Sequence, residues 1–490
     1  MKQMSFEEFQ AAAAGGQYRM IPVYREILAD IRTPLQVLMA LQNVSSHCFL
    51  LESAEDSRKW GRYTYLGYDP SMELSCKNHH LTVFAGGKIE METDHPGVYI
   101  KQIVNENRAP ALPGLPTLTG GLVGYFSYDY VQYGEPELKL DALDEDDFDD
   151  MNLMLFDRMI CFDNFRQTLI LIANARTDHP REEYNSAVLK LDAMEDLVRN
   201  GQMKKPEKGR LKAPLKPKLT QEEFSGKVEE IKHYIREGDI FQLVFSNPMQ
   251  APFEGSLLDT YRVLRTTNPS PYMFYFSGGD LELAGASPET LVKVEGRQVR
   301  TFPLAGTRPR GKDHEEDLAL EKGLLADEKE RAEHNMLVDL GRNDLGRLCS
   351  FGSVNVEKYM QIERYSHVMH IGSEISGTLA PGVEAVDTVD SVLPAGTLSG
   401  APKFRACQLI NQLEGDHRGI YGGAIGYVDF TGNLDVCIAI RFACRRRGKV
   451  FVRSGAGIVA DSVPENEYRE CINKAKAVVE AIEAAQEADL

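Results

Sequence analysis

Two pairs of glutamates pose the chemical question. Glu330 and Glu333 stand three residues apart in "EKERAEHNMLVDLGRND", and Glu467 and Glu470 repeat that spacing in "ENEYRECINKAKAVVEAI". Both stretches carry apolar residues at helical spacing, so each pair shares one helix face. On the first helix the seam Ala326, Glu330, Glu333, Leu337, Leu340 puts two glutamates where apolar residues belong. Buried carboxylates are costly unless something pairs with them. One ExxE pair is common on a solvated helix turn. Two pairs on two helices, with Lys474 one turn beyond the second, can make an oxygen-ligand site. Mg²⁺ fits best, because it takes few direct carboxylates, keeps waters and lets substrate oxygens complete its shell. No His or Cys stands nearby at metal-ligand spacing, which argues against zinc.

Further groups point to a small anionic ligand. In "LDVCIAIRFAC" a strand alternation over 436–442 sets Arg441 on a face with Cys437, Ala439 and Ala443, leaving room beside its guanidinium. That group suits a carboxylate, held bidentately; pairing with a structural acid is the plain alternative. The returning strand ends in Gly455-Ala456-Gly457, and "YGGAIG" is a second glycine-rich strand start with Tyr421 at its edge. Glycines let backbone N–H groups approach an anion closely. "FPLAGTRPRG" reads as a strand ending in Ala305-Gly306-Thr307 before a basic loop, a plausible ligand floor. His370 lies in the strand-like "RYSHVMHIGSEISGTL"; a lone His there is more often a satisfied core residue than a catalyst. Unaided, these residues describe an enzyme that uses Mg²⁺ to bind a small carboxylate-bearing substrate.

The elements that must hold these residues follow from periodicity. Short strands dominate up to about residue 180 ("CFLLES", "LTVFAG", "GGLVGYFSYDYV", "RMICFDN", "TLILIANA"). Helices are expected at about 182–200, 220–237, 315–342, 402–413 and 464–486, with hairpin strands between them. That mixture argues for an α+β fold. The basic, proline-bearing stretch 201–219 reads as a linker or long surface connection between an N-terminal region, 1–200, and a second region, 220–490. "DALDEDDFDD", 141–150, reads as a solvated acidic loop. The net charge of −18 argues against a nucleic-acid partner. No apolar run of about 18 residues suggests a membrane span, and the start lacks a signal peptide's apolar core. Eight cysteines without a CxxC pair suit a reducing cytoplasm, as small buried hydrophobes.

The motifs "PLAGTRPRG", "DEKERAEHNMLVDLGRNDLGRLC", "HVMHIGSEISGTL", "LPAGTLSGAPKFRA", "YGGAIGYVDFTGNLDVCIAIR" and "RSGAGIVADSVPENEYRECINKAKAV" together resemble the chorismate-utilising enzymes. That family includes anthranilate and aminodeoxychorismate synthase components I, isochorismate synthase and salicylate synthase. The resemblance covers roughly residues 220–485. It implies an α+β fold of orthogonally packed antiparallel sheets surrounded by helices. It also implies Mg²⁺ on Glu333 and Glu470, with Glu330 and Glu467 close by through water. Chorismate would be held by Gly306, Thr307, Thr397, Tyr421, Arg441, Lys474 and the backbone of Gly455, Ala456 and Gly457. His370 matches the family histidine near the reacting ring carbon, and Glu289, in "GASPE", matches the proposed general acid.

Two positions choose within the family. Gln242 stands where the water-using members carry a lysine base, so ammonia is the expected nucleophile. Ala305 stands where most aminodeoxychorismate synthases carry a lysine able to attack the ring. Both favour the branch that makes anthranilate and pyruvate for tryptophan biosynthesis, with aminodeoxychorismate synthesis as the alternative. "LLES" and "NPSPYMFYF" resemble the family's tryptophan feedback elements, which implies that Ser53, Pro271, Tyr272 and Met273 contact tryptophan as inhibitor. No Cys sits in a glutaminase nucleophile setting. A separate glutamine amidotransferase subunit would then deliver the ammonia, in a cytoplasmic heterotetramer.

Overall fold

Strand and helix follow the apolar periods of the chain. In the strand Tyr272–Gly278, Phe274 and Phe276 enter one core while Met273 and Tyr275 enter another. In the helix Pro180–Asn200 the buried residues Tyr184, Ala187, Leu191, Met194 and Val198 recur every three or four positions. The computed structural model describes residues 2–54, 60–364 and 368–487. Among these, the strands form two antiparallel sheets, one of 13 strands and one of 12. The main core takes Phe274, Phe276 and Leu283 from the larger sheet and Val292, Ile425 and Val436 from the smaller, so the sheets pack face against face. A second core lies on the other face of the larger sheet, where the helices Leu258–Thr267 and Pro464–Glu487 pack. Among the described residues no helix is long and apolar enough to cross a membrane. All eight cysteines are free thiols, and all but Cys349 are buried.

The larger sheet mixes the two halves of the chain. The strand Cys48–Glu52 pairs with Tyr272–Gly278, which pairs with Leu281–Ser287 and so leads on to Phe442–Arg446, Lys449–Ile458 and Gln242–Glu254. The basic stretch 201–219 is fastened to this sheet. Arg210–Leu211 and Lys216–Pro217 both pair with Gln242–Glu254, and the Leu211 amide donates to Gln486 Oε1 at 2.8 Å.

Three expectations change. The helix expected over 315–342 is two helices, His314–Ala326 and Glu328–Gly346. Asp327 separates them and caps the second, accepting from the Lys329 and Glu330 amides at 3.1 and 3.2 Å. Ala326 therefore drops out of the glutamate seam. The strand alternation expected across 436–442 is broken: Leu434–Ile438 belongs to the smaller sheet and Phe442–Arg446 to the larger. Arg441 lies in the gap at φ 56°, a left-handed conformation uncommon for a residue with a side chain. The acidic loop 141–150 is only partly solvated. Asp150 is buried and accepts from the Tyr133 hydroxyl at 2.7 Å and the Asn78 amide at 2.8 Å, while Lys77 pairs with Asp144 and Asp147. An acidic run can fold inward when a cation and backbone donors meet it.

One buried ion cluster supports the cavity described next. Glu414 accepts from Arg418, Arg453 and Ser246, at 2.6, 2.7 and 2.8 Å, and Arg453 also lines the cavity wall. Burial raises the Glu414 carboxyl, but the two guanidiniums outweigh it and hold the group below its ordinary range. Removing one member of such a cluster strands the others. Glu414→Gln is expected to destabilise the protein by about 3–5 kcal/mol, read as a lower midpoint of denaturant unfolding.

Candidate active site

The helices Glu328–Gly346 and Pro464–Glu487 meet over a cavity of about 960 Å³. Glu330, Glu333, Glu467 and Glu470 all line it. Burial raises the Glu333 carboxyl above its ordinary pKa, and the negative charges of Glu330 and Glu470 raise it further. Burial also raises Glu467, with Glu470 adding to the effect. Carboxylates from two helices therefore repel one another across one space. Lys474 answers Glu470 at 2.7 Å and donates to the Gly455 carbonyl at 3.1 Å. Arg308 answers Glu330 at 3.3 Å and Asp327 at 2.9 Å. Among the described residues, no three His, Cys, Asp or Glu side chains gather closely enough to hold a metal ion unaided. The donor set is all oxygen and strongly negative. It fits a hard divalent cation that keeps waters and takes substrate oxygens.

The opposite wall is made of strands. Gly306 bulges out of the pairing between Leu304–Pro309 and Val368–Thr378: Ala305 faces Ile371 and Thr307 faces His370, with Gly306 left over at φ 63°. A side chain at Gly306 would crowd Glu330 Oε2 at 3.1 Å and Leu324 at 2.9 Å. The bulge brings the Gly306 carbonyl within 2.9 Å of His370 Nδ1. A carbonyl only accepts, so Nδ1 carries the proton and Nε2 is the basic nitrogen. Burial lowers the His370 pKa and keeps the ring neutral at physiological pH, a form that can take up a proton.

Glu289 follows the strand Leu281–Ser287, and its carbonyl accepts from the Ile438 amide at 2.9 Å. Burial raises its carboxyl to about 7, against the lowering effects of the Thr397 hydroxyl, Lys474 and Arg441. Arg441 reaches the same cavity and donates to the Lys474 carbonyl. Burial lowers its pKa, but a guanidinium stays charged.

Gly455 and Gly457 face the cavity, and Ala456 between them packs into the core. A side chain at Gly455 would meet the Tyr421 hydroxyl at 3.1 Å, and one at Gly457 would meet the Gln242 carboxamide at 2.8 Å. Gln242 and Ala305 line the cavity too. The Gln242 side chain is buried, and its Oε1 has no hydrogen-bond partner among the described residues.

The cavity thus gathers His370, Glu289, Thr307, Thr397, Tyr421, Arg441, Lys474 and the four glutamates. Sequence reasoning missed Arg308 and Arg453, reading the first as part of a basic loop. The alternation of "AGTRP" along a strand was the available signal for Arg308.

Ser53, Pro271, Tyr272 and Met273 lie elsewhere but together. Glu52 pairs with Met273, and the Ala54 amide donates to the Ser270 carbonyl at 3.0 Å. Arg265 and Tyr261 bind the buried Glu52 carboxylate, tying "LLES" to the helix that leads into "NPSPYMF".

Comparison with known proteins agrees with this geometry. The family described as chorismate binding enzyme matches residues 46–480. Anthranilate synthase component 1 of Aquifex aeolicus is 43% identical, over 99% of this chain and 98% of its own. The protein of the same name from Acinetobacter calcoaceticus is 45% identical, over 98% of each. The crystal structure of anthranilate synthase component I from Streptococcus pneumoniae superposes with a TM-score of 0.76 at 35% identity, covering 92% of this chain and 99% of that one. The menaquinone-specific isochorismate synthase of Escherichia coli, at 18% identity and a TM-score of 0.69, shares the fold. The chain belongs to the chorismate binding enzymes, in the branch whose members are named anthranilate synthase component 1.

Proposed function

We propose that the cavity converts chorismate and ammonia into anthranilate and pyruvate. One observation carries the reading. A buried carboxylic acid, a neutral histidine and a buried arginine share a single cavity that contains Gln242 and Ala305 but no lysine at either position. Glu289, raised to about 7, keeps much of its proton at neutral pH and can give it to the ring hydroxyl as that group departs. Ammonia adds at ring C2 in the same step. His370 Nε2, made basic by the Nδ1–H bond to Gly306, then takes the C2 proton as the enolpyruvyl group leaves to become pyruvate. Arg441, with the glycine backbone at 455 and 457, binds a substrate carboxylate. The Gln242 carboxamide cannot deprotonate water, which supports ammonia as the nucleophile. Its buried Oε1 is an acceptor suited to an N–H donor.

Glu333 and Glu470 are the proposed magnesium ligands, with Glu330 and Glu467 acting through water. A bound Mg²⁺ would neutralise the ring carboxylate and make the conjugated system a better electron sink. A glutaminase subunit is the proposed source of ammonia, as "component 1" in the relatives' names suggests. Tryptophan is the proposed inhibitor, on Ser53, Pro271, Tyr272 and Met273. The side-by-side placement of these two stretches supports it.

The test is turnover of the purified chain with chorismate, Mg²⁺ and ammonium, with products separated. Anthranilate is expected; an aminodeoxychorismate or isochorismate product would overturn the reading. Glu289→Gln should lower kcat by about 10²–10⁴-fold, the usual worth of a general acid. Because the acid must be protonated, wild-type kcat should fall as pH rises through about 7. Glu470→Gln should raise the Mg²⁺ needed for half-maximal rate by at least roughly 10-fold. Ser53→Phe should raise the tryptophan concentration needed for half-inhibition relative to wild type.

A further inference from the structure

We propose that Tyr272 is a positioning residue for Glu289, acting through Thr290 and Asp435. The claim rests on the reading of Glu289 as the acid. It does not rest on tryptophan binding.

The strands Tyr272–Gly278 and Leu281–Ser287 pair in register, Tyr272 opposite Ser287 and Met273 opposite Ala286. Glu289 is two residues past Ser287, so its backbone leaves the sheet directly beside Tyr272. The Tyr272 hydroxyl donates to Asp435 Oδ1 at 2.8 Å, so it accepts from the Thr290 hydroxyl, 3.0 Å away. Thr290 is the residue after Glu289 and opens the next strand, Thr290–Glu295. Asp435 stands on the neighbouring strand Leu434–Ile438, and that strand's end holds the Glu289 carbonyl through the Ile438 amide at 2.9 Å. The Ser287 hydroxyl donates to the Ile438 carbonyl at 2.7 Å.

Glu289 is therefore braced from both sides. Ser287 and Ile438 fix its backbone, and the chain Thr290 O–H to Tyr272 O–H to Asp435 fixes the residue that follows it. Lys293 is the nearby cation for Asp435, 3.6 Å from Oδ2, and Glu295 adds a negative charge. The same strand end also supports the arginine: the Ala286 amide donates to the Arg441 carbonyl at 3.1 Å. One hairpin end thus underpins the acid and the substrate-binding cation. A bond from the hydroxyl of a remote strand sets where the carboxyl points.

Tyr272→Phe removes both links of this chain, and Thr290→Val removes only the link to Thr290. Each should lower kcat roughly 10-fold, below the ~10²-fold cost of a ~1 Å misplacement, and leave the KM for chorismate within about twofold. Loosening the brace admits water to Glu289, whose other neighbours are Thr397, Lys474 and Arg441. The basic limb of the kcat–pH profile should then move to lower pH in both variants. The double variant should be no worse than Tyr272→Phe alone, because that change already removes both links. If Tyr272→Phe does not fold, Thr290→Val reads the link between Thr290 and Tyr272 alone. Unimpaired kcat with an unmoved limb in a folded variant overturns the proposal, as do additive losses in the double variant. If Glu289→Gln retains full turnover, the acid reading itself falls. If that variant is inactive while Tyr272→Phe and Thr290→Val are unimpaired, only the positioning role falls.

Discussion

Four carboxylates on two helices face one partly buried space, and the neighbouring residues answer that electrostatic load. Burial raises the Glu333 and Glu467 carboxyls, and the like charges beside them add to the rise. Lys474 and Arg308 offset part of the charge from the rim. Neither removes it, and a lysine paired at a half-exposed site contributes little to stability. The arrangement costs stability by itself. On the reading proposed above, a divalent cation and an anionic substrate complete each other's shell between the helices.

The strands meet the complementary demand, which is to bring backbone and small residues close to a ligand. The Gly306 bulge and the left-handed Arg441 interrupt regular sheet where the cavity wall runs, while Gly455 and Gly457 stay in register and bare their backbone to the cavity. The left-handed conformation of Arg441 costs on the order of 1–3 kcal/mol and persists because the surrounding structure over-determines it. Here the surroundings are two large sheets with a shared core and the Glu414–Arg418–Arg453 cluster. Burial in the same wall raises Glu289 to about 7 and lowers His370, which sets an acid and a base within one cavity.

Periodicity made several elements legible in advance, though the helices Phe6–Ala13, Pro34–Leu41, Pro96–Glu106 and Leu258–Thr267 were not among them. The helices Gln221–Glu237, Lys403–Glu414 and Pro464–Glu487, and strands such as Cys48–Glu52 and Thr168–Arg176, lie where their apolar spacing put them. Single residues defeated it elsewhere. Asp327 ends one helix and caps the next, a choice made by side-chain hydrogen bonding that an apolar seam does not record. Arg441 breaks a strand because the chain crosses from one sheet to the other there, and that crossing is a long-range event. The acidic loop folded inward because Lys77, far off in sequence, and Tyr133 meet it. Within the site, spacing exposed the two glutamate pairs, and it singled out Arg441 by an alternation that the structure breaks. Glu289 and Thr397 needed the family motifs, because one carboxyl in "GASPE" carries no period. Arg308 was hidden in a loop-like run until its strand was seen.

The central claim is that the facing glutamates are completed jointly by Mg²⁺ and the substrate. Calorimetric titration of Mg²⁺ into the purified chain, with and without chorismate and with ammonium left out, tests it most directly. Joint completion predicts weak Mg²⁺ binding alone, markedly tighter binding with chorismate, and an equal tightening of chorismate by Mg²⁺, as linkage requires. Mg²⁺ affinity that is the same with and without chorismate, or that survives Glu333→Gln and Glu470→Gln, would contradict it.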